Sequence, residues 1–96
     1  MPMKATFAAW KEDPQGLHQG FLFADFEHAL AFVAAVGRLA QAADHHPDID
    51  LRFNRVALSL FTHDAGRVTE KDRALAQAID LITPGELVHG ISQIFG

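Results

Sequence analysis

The sequence predicts an α+β fold: a four-stranded antiparallel sheet with helices packed on one face, in the order β-β-α-β-β-α plus a short C-terminal helix. Two observations carry this. Short stretches alternate apolar and polar residues with a period of two, and the stretches between and after them switch to a helical period. Turn and capping residues sit at each change of period. Strand pairs separated by helices form an antiparallel sheet covered on one side.

Thr6 to Trp10 and Leu17 to Phe23 read as the first two strands, the second alternating Leu17, Gln19, Phe21 and Phe23. Between them Glu12-Asp13-Pro14-Gln15-Gly16 supplies Pro and Gly for a turn. Asp25 is a helix N-cap with Glu27 in the first turn, and no proline interrupts the chain until Pro47. This helix carries two apolar stripes, Phe26, Leu30, Val33 and Gly37 on one and Phe32, Val36, Leu39 and Ala43 on the other. Covering a sheet needs only one stripe. The second either covers more of the same core or meets a partner subunit, and the thin core of a 96-residue chain favours the partner.

After Asp44-His45-His46-Pro47, Ile49, Leu51 and Phe53 alternate with Asp50, Arg52 and Asn54. Val56, Leu58 and Leu60 alternate with Ala57, Ser59 and Phe61. A two-residue turn at Asn54-Arg55 pairs Phe53 with Val56, Leu51 with Leu58 and Ile49 with Leu60, apolar with apolar on one face. Continued outward, the ladder brings His46 across from His63, with His45 beside them. Thr69 caps the next helix, with Glu70 and Asp72 in its first turn and Leu75, Ile79 and Ile82 along one face. Thr83-Pro84-Gly85-Glu86 then starts the short C-terminal helix, whose apolar face is Leu87, Val88, Ile91, Ile94 and Phe95.

Residues 1–96 read as a single domain. The chain has no cysteine, so disulfides and thiolate metal sites are excluded. Its net charge of −4, with no basic run, argues against nucleic acid as a partner. No stretch approaches the ~20 apolar residues of a membrane span, and the N-terminus lacks a secretory run, so a cytoplasmic protein is expected. Three histidines can hold zinc with an open position. Neighbouring side chains on a strand diverge, however, so adjacent His45 and His46 suit a metal poorly and none is expected. His18, His28 and His89 are expected at the surface. Ser59 and Ser92 have no spacing that suggests a nucleophile.

The segment from Gln41 to Asp72 resembles the signature of pterin-4a-carbinolamine dehydratases, reading His45-His46-Pro47, Phe53, His63 and Asp72 at that family's spacing. Thr62-His63-Asp64 and Thr69-Glu70-Lys71-Asp72 look like the flanking segments, and the similarity extends more loosely back to Trp10. The resemblance implies dehydration of 4a-hydroxytetrahydropterin to quinonoid dihydropterin in tetrahydropterin recycling. Elimination needs an acid for the leaving hydroxyl and a base for the N5 proton, both within reach of imidazole chemistry near neutrality. No metal or other cofactor is implied.

By resemblance, His45 and His63 form the acid/base pair, in either order, and His46 holds the pterin's reacting edge. Asp44, Gln41 and Phe53 are the expected substrate-side residues. Asp72 is expected to stabilise its helix rather than touch substrate. The family's habit implies a homo-oligomer, tetramer or dimer. Two departures stand out: Gln41 occupies a place usually held by Glu, and the family's helix before the Trp is missing while an extension follows Thr83. Some proteins of this fold are dimerisation cofactors or assembly chaperones, so a binding or assembly module is the alternative function.

Overall fold

The computed structural model describes residues 10–82. Its elements are β1 (Lys11–Asp13), β2 (Gly16–Leu22), α1 (Phe26–Ala43), β3 (Asp48–Arg52), β4 (Arg55–Leu60) and α2 (Glu70–Leu81). The four strands form one antiparallel sheet in the order β1-β2-β4-β3. Fold class and element order match the expectation, with the C-terminal helix expected after Thr83 lying outside the described residues.

The first strand is displaced. It begins at Lys11 and takes in Glu12 and Asp13, which were expected in the turn, and the turn tightens to Pro14-Gln15 with Asp13 paired to Gly16. Two local features allow this. Asp13 accepts the Gln15 N–H at 2.8 Å, and Gly16 adopts φ 143°, where a Cβ would lie 2.4 Å from the Leu60 carbonyl oxygen. Of the expected strand, residues 6–9 lie outside the described residues and Trp10 lies outside β1. Trp10 packs edge-on against Phe21, and its indole N–H donates to Asp80 at 3.1 Å, tying the start of β1 to α2.

The core forms on one face of the sheet. Leu17, Phe21, Val56, Leu58 and Leu60 meet Ala29, Phe32 and Val36 of α1 and Leu75, Ala76 and Ile79 of α2. Phe32 stacks obliquely on both Phe21 and Phe23, with ring centroids 4.7 and 4.9 Å apart. Each fully buried side chain of this size stabilises the fold by roughly 1.5–3 kcal/mol. Gln19 also points to this face and is buried between apolar neighbours, and its amide nitrogen finds no hydrogen-bond partner among the described residues.

The stripe that meets the core is therefore that of Phe32 and Val36, which was expected to meet a partner subunit; it is joined by Ala29 and Ala40, while its Ala43 is exposed. Small alanines let the helix approach the sheet closely, and a reading weighted towards bulky residues passes over them. Of the other stripe, Phe26 and Leu30 face outward, 46% and 47% exposed, while Val33 packs against the edge of the core.

The β3–β4 register is slipped by two residues from the expected one. Ile49 pairs with Leu58, Leu51 with Val56 and Arg52 with Arg55, so Phe53-Asn54 forms the turn. A slip of two preserves which face each side chain occupies. The cause is tertiary: the Asn54 carbonyl accepts the Phe23 N–H and its side-chain amide donates to the Phe23 carbonyl, both at 2.9 Å. This clamps Asn54 to the exit of β2. Phe53 takes the first turn position with φ 54°, a conformation that favours glycine.

Candidate active site

His45 and His46 leave α1 through a turn built by Asp44. Asp44 adopts the left-handed conformation, φ 53°, which Asp tolerates better than most residues. Its N–H bonds to the Gln41 carbonyl at 3.2 Å, and the His45 N–H bonds to the Ala40 carbonyl at 3.1 Å. This pair of bonds is a Schellman closure. It ends the helix abruptly and sends the two histidines in different directions.

His45 is directed inward. Its Nε2 lies 2.5 Å from Oδ1 of Asp72, which is 0% exposed. The other Asp72 oxygen accepts the Thr62 hydroxyl at 2.7 Å and the Thr69 N–H at 2.9 Å. Thr62 donates to the carboxylate, so the hydrogen in its 2.7 Å contact with Thr69 comes from the Thr69 hydroxyl. Burial pushes the Asp72 pKa up, but the bonds from His45, Thr62 and Thr69 outweigh it, and the group is held below its ordinary value. An ionised carboxylate only accepts, so His45 carries its hydrogen on Nε2. In the neutral ring Nδ1 then presents the lone pair.

Asp72 thus has two functions. It completes the capping box that starts α2, as expected, and it orients His45, which was not expected. The signal was present in the spacing of the motif, but only packing of α2 against the end of α1 reveals the partner. His46 turns outward, and its Nε2 lies 3.1 Å from Oε1 of Gln41, one turn back on α1. The amide oxygen accepts, so this ring too carries a hydrogen on Nε2.

His63 lies in the loop after β4, which closes through a Thr62–Arg67 bridge and bonds from the Ala65 and Gly66 N–H groups to the Thr62 carbonyl. Its exposed ring meets Phe61 edge-on at 5.1 Å. The register slip removes the expected position across from His46. What connects His63 to the other histidines is its neighbour Thr62, hydrogen-bonded to the carboxylate that holds His45. Phe53 is elsewhere, 69% exposed at the tip of the β3–β4 hairpin, the end opposite the one where His45 and His46 enter β3.

Beside His45 a cavity of about 460 Å³ opens between the helices, lined by Leu39, Ala42 and Ala43 of α1 and Lys71, Ala74, Leu75 and Ala78 of α2. Among the described residues no group of three or more His, Asp or Glu is arranged to hold a metal ion, and no helix is long and apolar enough to cross a membrane.

Comparison with known proteins bears on this arrangement. A protein of Chloroflexus aurantiacus that carries the name pterin-4-alpha-carbinolamine dehydratase is 56% identical over 73 residues, 76% of this chain and 78% of the relative. One of the same name from Acidobacterium capsulatum is 46% identical over 78 residues, 81% and 85% of the two chains. The crystal structure of a transcriptional coactivator/pterin dehydratase from Brucella melitensis matches with a TM-score of 0.73 at 31% identity, over 81% of this chain and 85% of that one. A pterin dehydratase-like protein identified as a RuBisCO assembly factor in the alpha-carboxysome shares the fold, with a TM-score of 0.66 at 23% identity over 80% and 89%. The model of the pterin 4 alpha carbinolamine dehydratase family matches residues 2–82, and the chain belongs to that family.

Proposed function

We propose that this protein dehydrates 4a-hydroxytetrahydropterin to quinonoid dihydropterin in tetrahydropterin recycling in the cytoplasm, by acid/base catalysis without a metal. The observation that carries this reading is the bond between His45 and the buried Asp72 carboxylate. With Nε2–H committed to Asp72, His45 exchanges its catalytic proton through Nδ1. His63 supplies the second proton-transfer group, and His46, held by Gln41, faces the reacting edge of the pterin. In either order, one imidazole takes the N5 proton while the other protonates the departing 4a-hydroxyl. Asp44 acts by shaping the turn that presents the histidines. Phe53 reaches a pterin only in an assembly that brings the hairpin tip of another copy to the site.

Self-association is part of the proposal. Phe26 and Leu30 expose an apolar stripe on α1, and β3 is an edge strand whose Ile49 is 38% exposed. Edge strands with apolar residues pair readily with a second chain. A homo-oligomer, tetramer or dimer, covers these groups.

The direct test is the rate of dehydration of enzymatically generated 4a-hydroxytetrahydropterin by purified protein, after subtraction of the spontaneous reaction. Acceleration is expected, and it should persist after exhaustive chelation. Loss on chelation, restored by one metal, would overturn the acid/base reading.

Gln41 motivates the second reading, a binding or assembly module, because a neutral amide stands 3.1 Å from His46 where the signature has Glu. A carboxylate there stabilises the imidazolium. In the catalytic reading protonated His46 binds the pterin, so Gln41→Glu is expected to move the alkaline limb of the kcat/KM profile to higher pH, because that form of the ring persists further. Superimposable profiles would mean that His46 does not titrate in the reaction. A wild type without activity, with a Gln41→Glu variant that gains it, would favour the binding module.

A further inference from the structure

The β2–β4 ladder sets His18 directly across from Ser59, on the sheet face turned away from the helices. His18 Nε2 lies 2.9 Å from Oδ1 of Asp13, and Nδ1 lies 2.8 Å from the Ser59 hydroxyl oxygen. The Asp13 pKa is held below its ordinary value, first by the His18 bond and then by the Gln15 N–H, so the carboxylate is ionised near neutrality. It can only accept, which places the ring hydrogen on Nε2. In the neutral ring Nδ1 is then an acceptor, and Ser59 donates its hydroxyl hydrogen to it. Hydroxyl, imidazole and orienting carboxylate thus stand in the order that activates a serine.

We propose that Ser59 is an activated hydroxyl that accepts acyl groups from small, already activated donors such as phenyl esters, thioesters and acyl phosphates. The restriction to such donors follows from the surroundings. β2 and β4 are the inner strands of the sheet, so their backbone N–H groups are committed to the ladders and form no oxyanion hole. The flanking charged residues in register are Lys11, across from His18, and Asp48, across from Ser59. Ordinary esters and amides, whose carbonyl needs oxyanion stabilisation, do not react.

In the acylation step the Ser59 oxygen bonds to the acyl carbon while its proton passes to His18 Nδ1. The bond from the acyl carbon to the leaving group breaks, and the leaving group departs with that proton. The product is an ester on Ser59 with the imidazole neutral again.

The test treats the whole protein with p-nitrophenyl acetate and follows acetylation of the Ser59 peptide by mass spectrometry. N-acetylserinamide in the same solution serves as the reference hydroxyl. Ser59 is expected to react about 10²-fold or more faster than the reference, the usual scale of a positioned general base. His18→Gln, which keeps a polar cross-strand partner but no base, should bring Ser59 down to the reference rate. Ser59→Ala should abolish the rapid phase and leave pterin dehydration unchanged. Equal rates for Ser59 and the reference, or rapid acetylation surviving His18→Gln, would overturn the proposal. So would a rapid phase surviving Ser59→Ala, which would make His18 itself the nucleophile.

Discussion

Asp72→Asn is expected to lower kcat for dehydration by about 10²–10⁴-fold and to destabilise the fold by about 1–3 kcal/mol, the scale for leaving a buried hydrogen-bonding group without its partner. An amide has one accepting atom where the carboxylate has two. If its oxygen meets His45, its NH₂ group opposes the Thr69 N–H and the capping box fails. If it flips, NH₂ opposes His45 Nε2–H and the ring must change tautomer, so Nδ1 no longer presents a lone pair. Either orientation costs the site or the helix start. The variant should also lose an acid-side slope in stability. The folded Asp72 lies below its ordinary value of 3.8, so between the two values the unfolded chain binds more protons. Stability from this group is then complete above the ordinary value and is lost as pH falls through the lowered one. Urea midpoints from about pH 5 down to about pH 2 measure this, with less slope expected for Asp72→Asn than for wild type. Identical slopes together with full activity would remove Asp72 from the site.

Val36→Asp is expected to abolish folding, whereas Leu30→Asp should keep the fold and dissociate the assembly. Val36 is fully buried beneath α1, and an unpaired carboxylate there costs several kcal/mol even after its pKa rises. That is a large share of the roughly 5–15 kcal/mol that holds a small domain together. Leu30 is half exposed on the outer stripe, so a charge there is hydrated in the single chain and becomes costly only when a second copy covers it. Circular dichroism separates the two fates and sedimentation reads the second. A folded Val36→Asp protein would contradict the core assignment. A Leu30→Asp protein that still sediments as an oligomer would place the interface elsewhere.

Features that rest on local chemistry were legible from residues alone. Asp25 and Thr69 cap their helices because a short acceptor side chain before an apolar helical stretch has few better uses. Alternation in Leu17–Phe23 and Val56–Leu60 put the correct side chains on the core face, because a period of two survives any even slip in register. His45, His46 and His63 could be singled out because they stand at a family's spacing. Which stripe of α1 is buried was not legible, since that depends on how closely Ala29 and Ala40 let the helix approach the sheet.

The chain by itself therefore determined the fold class, the helix starts, the faces of the strands and the family. Tertiary structure decided the rest, because each remaining choice was between local alternatives of similar energy. Two hydrogen bonds between Asn54 and Phe23, one donated by each, selected the Phe53-Asn54 turn over Asn54-Arg55, moving His46 away from the place across from His63. Docking of α2 against the end of α1 gave Asp72 its second partner, His45. Pairing of β2 with β4 brought His18 to Ser59, residues whose separation in sequence suggested no relation. In each case the deciding contact joins segments far apart in the chain, and a local pattern carries no record of such a partner.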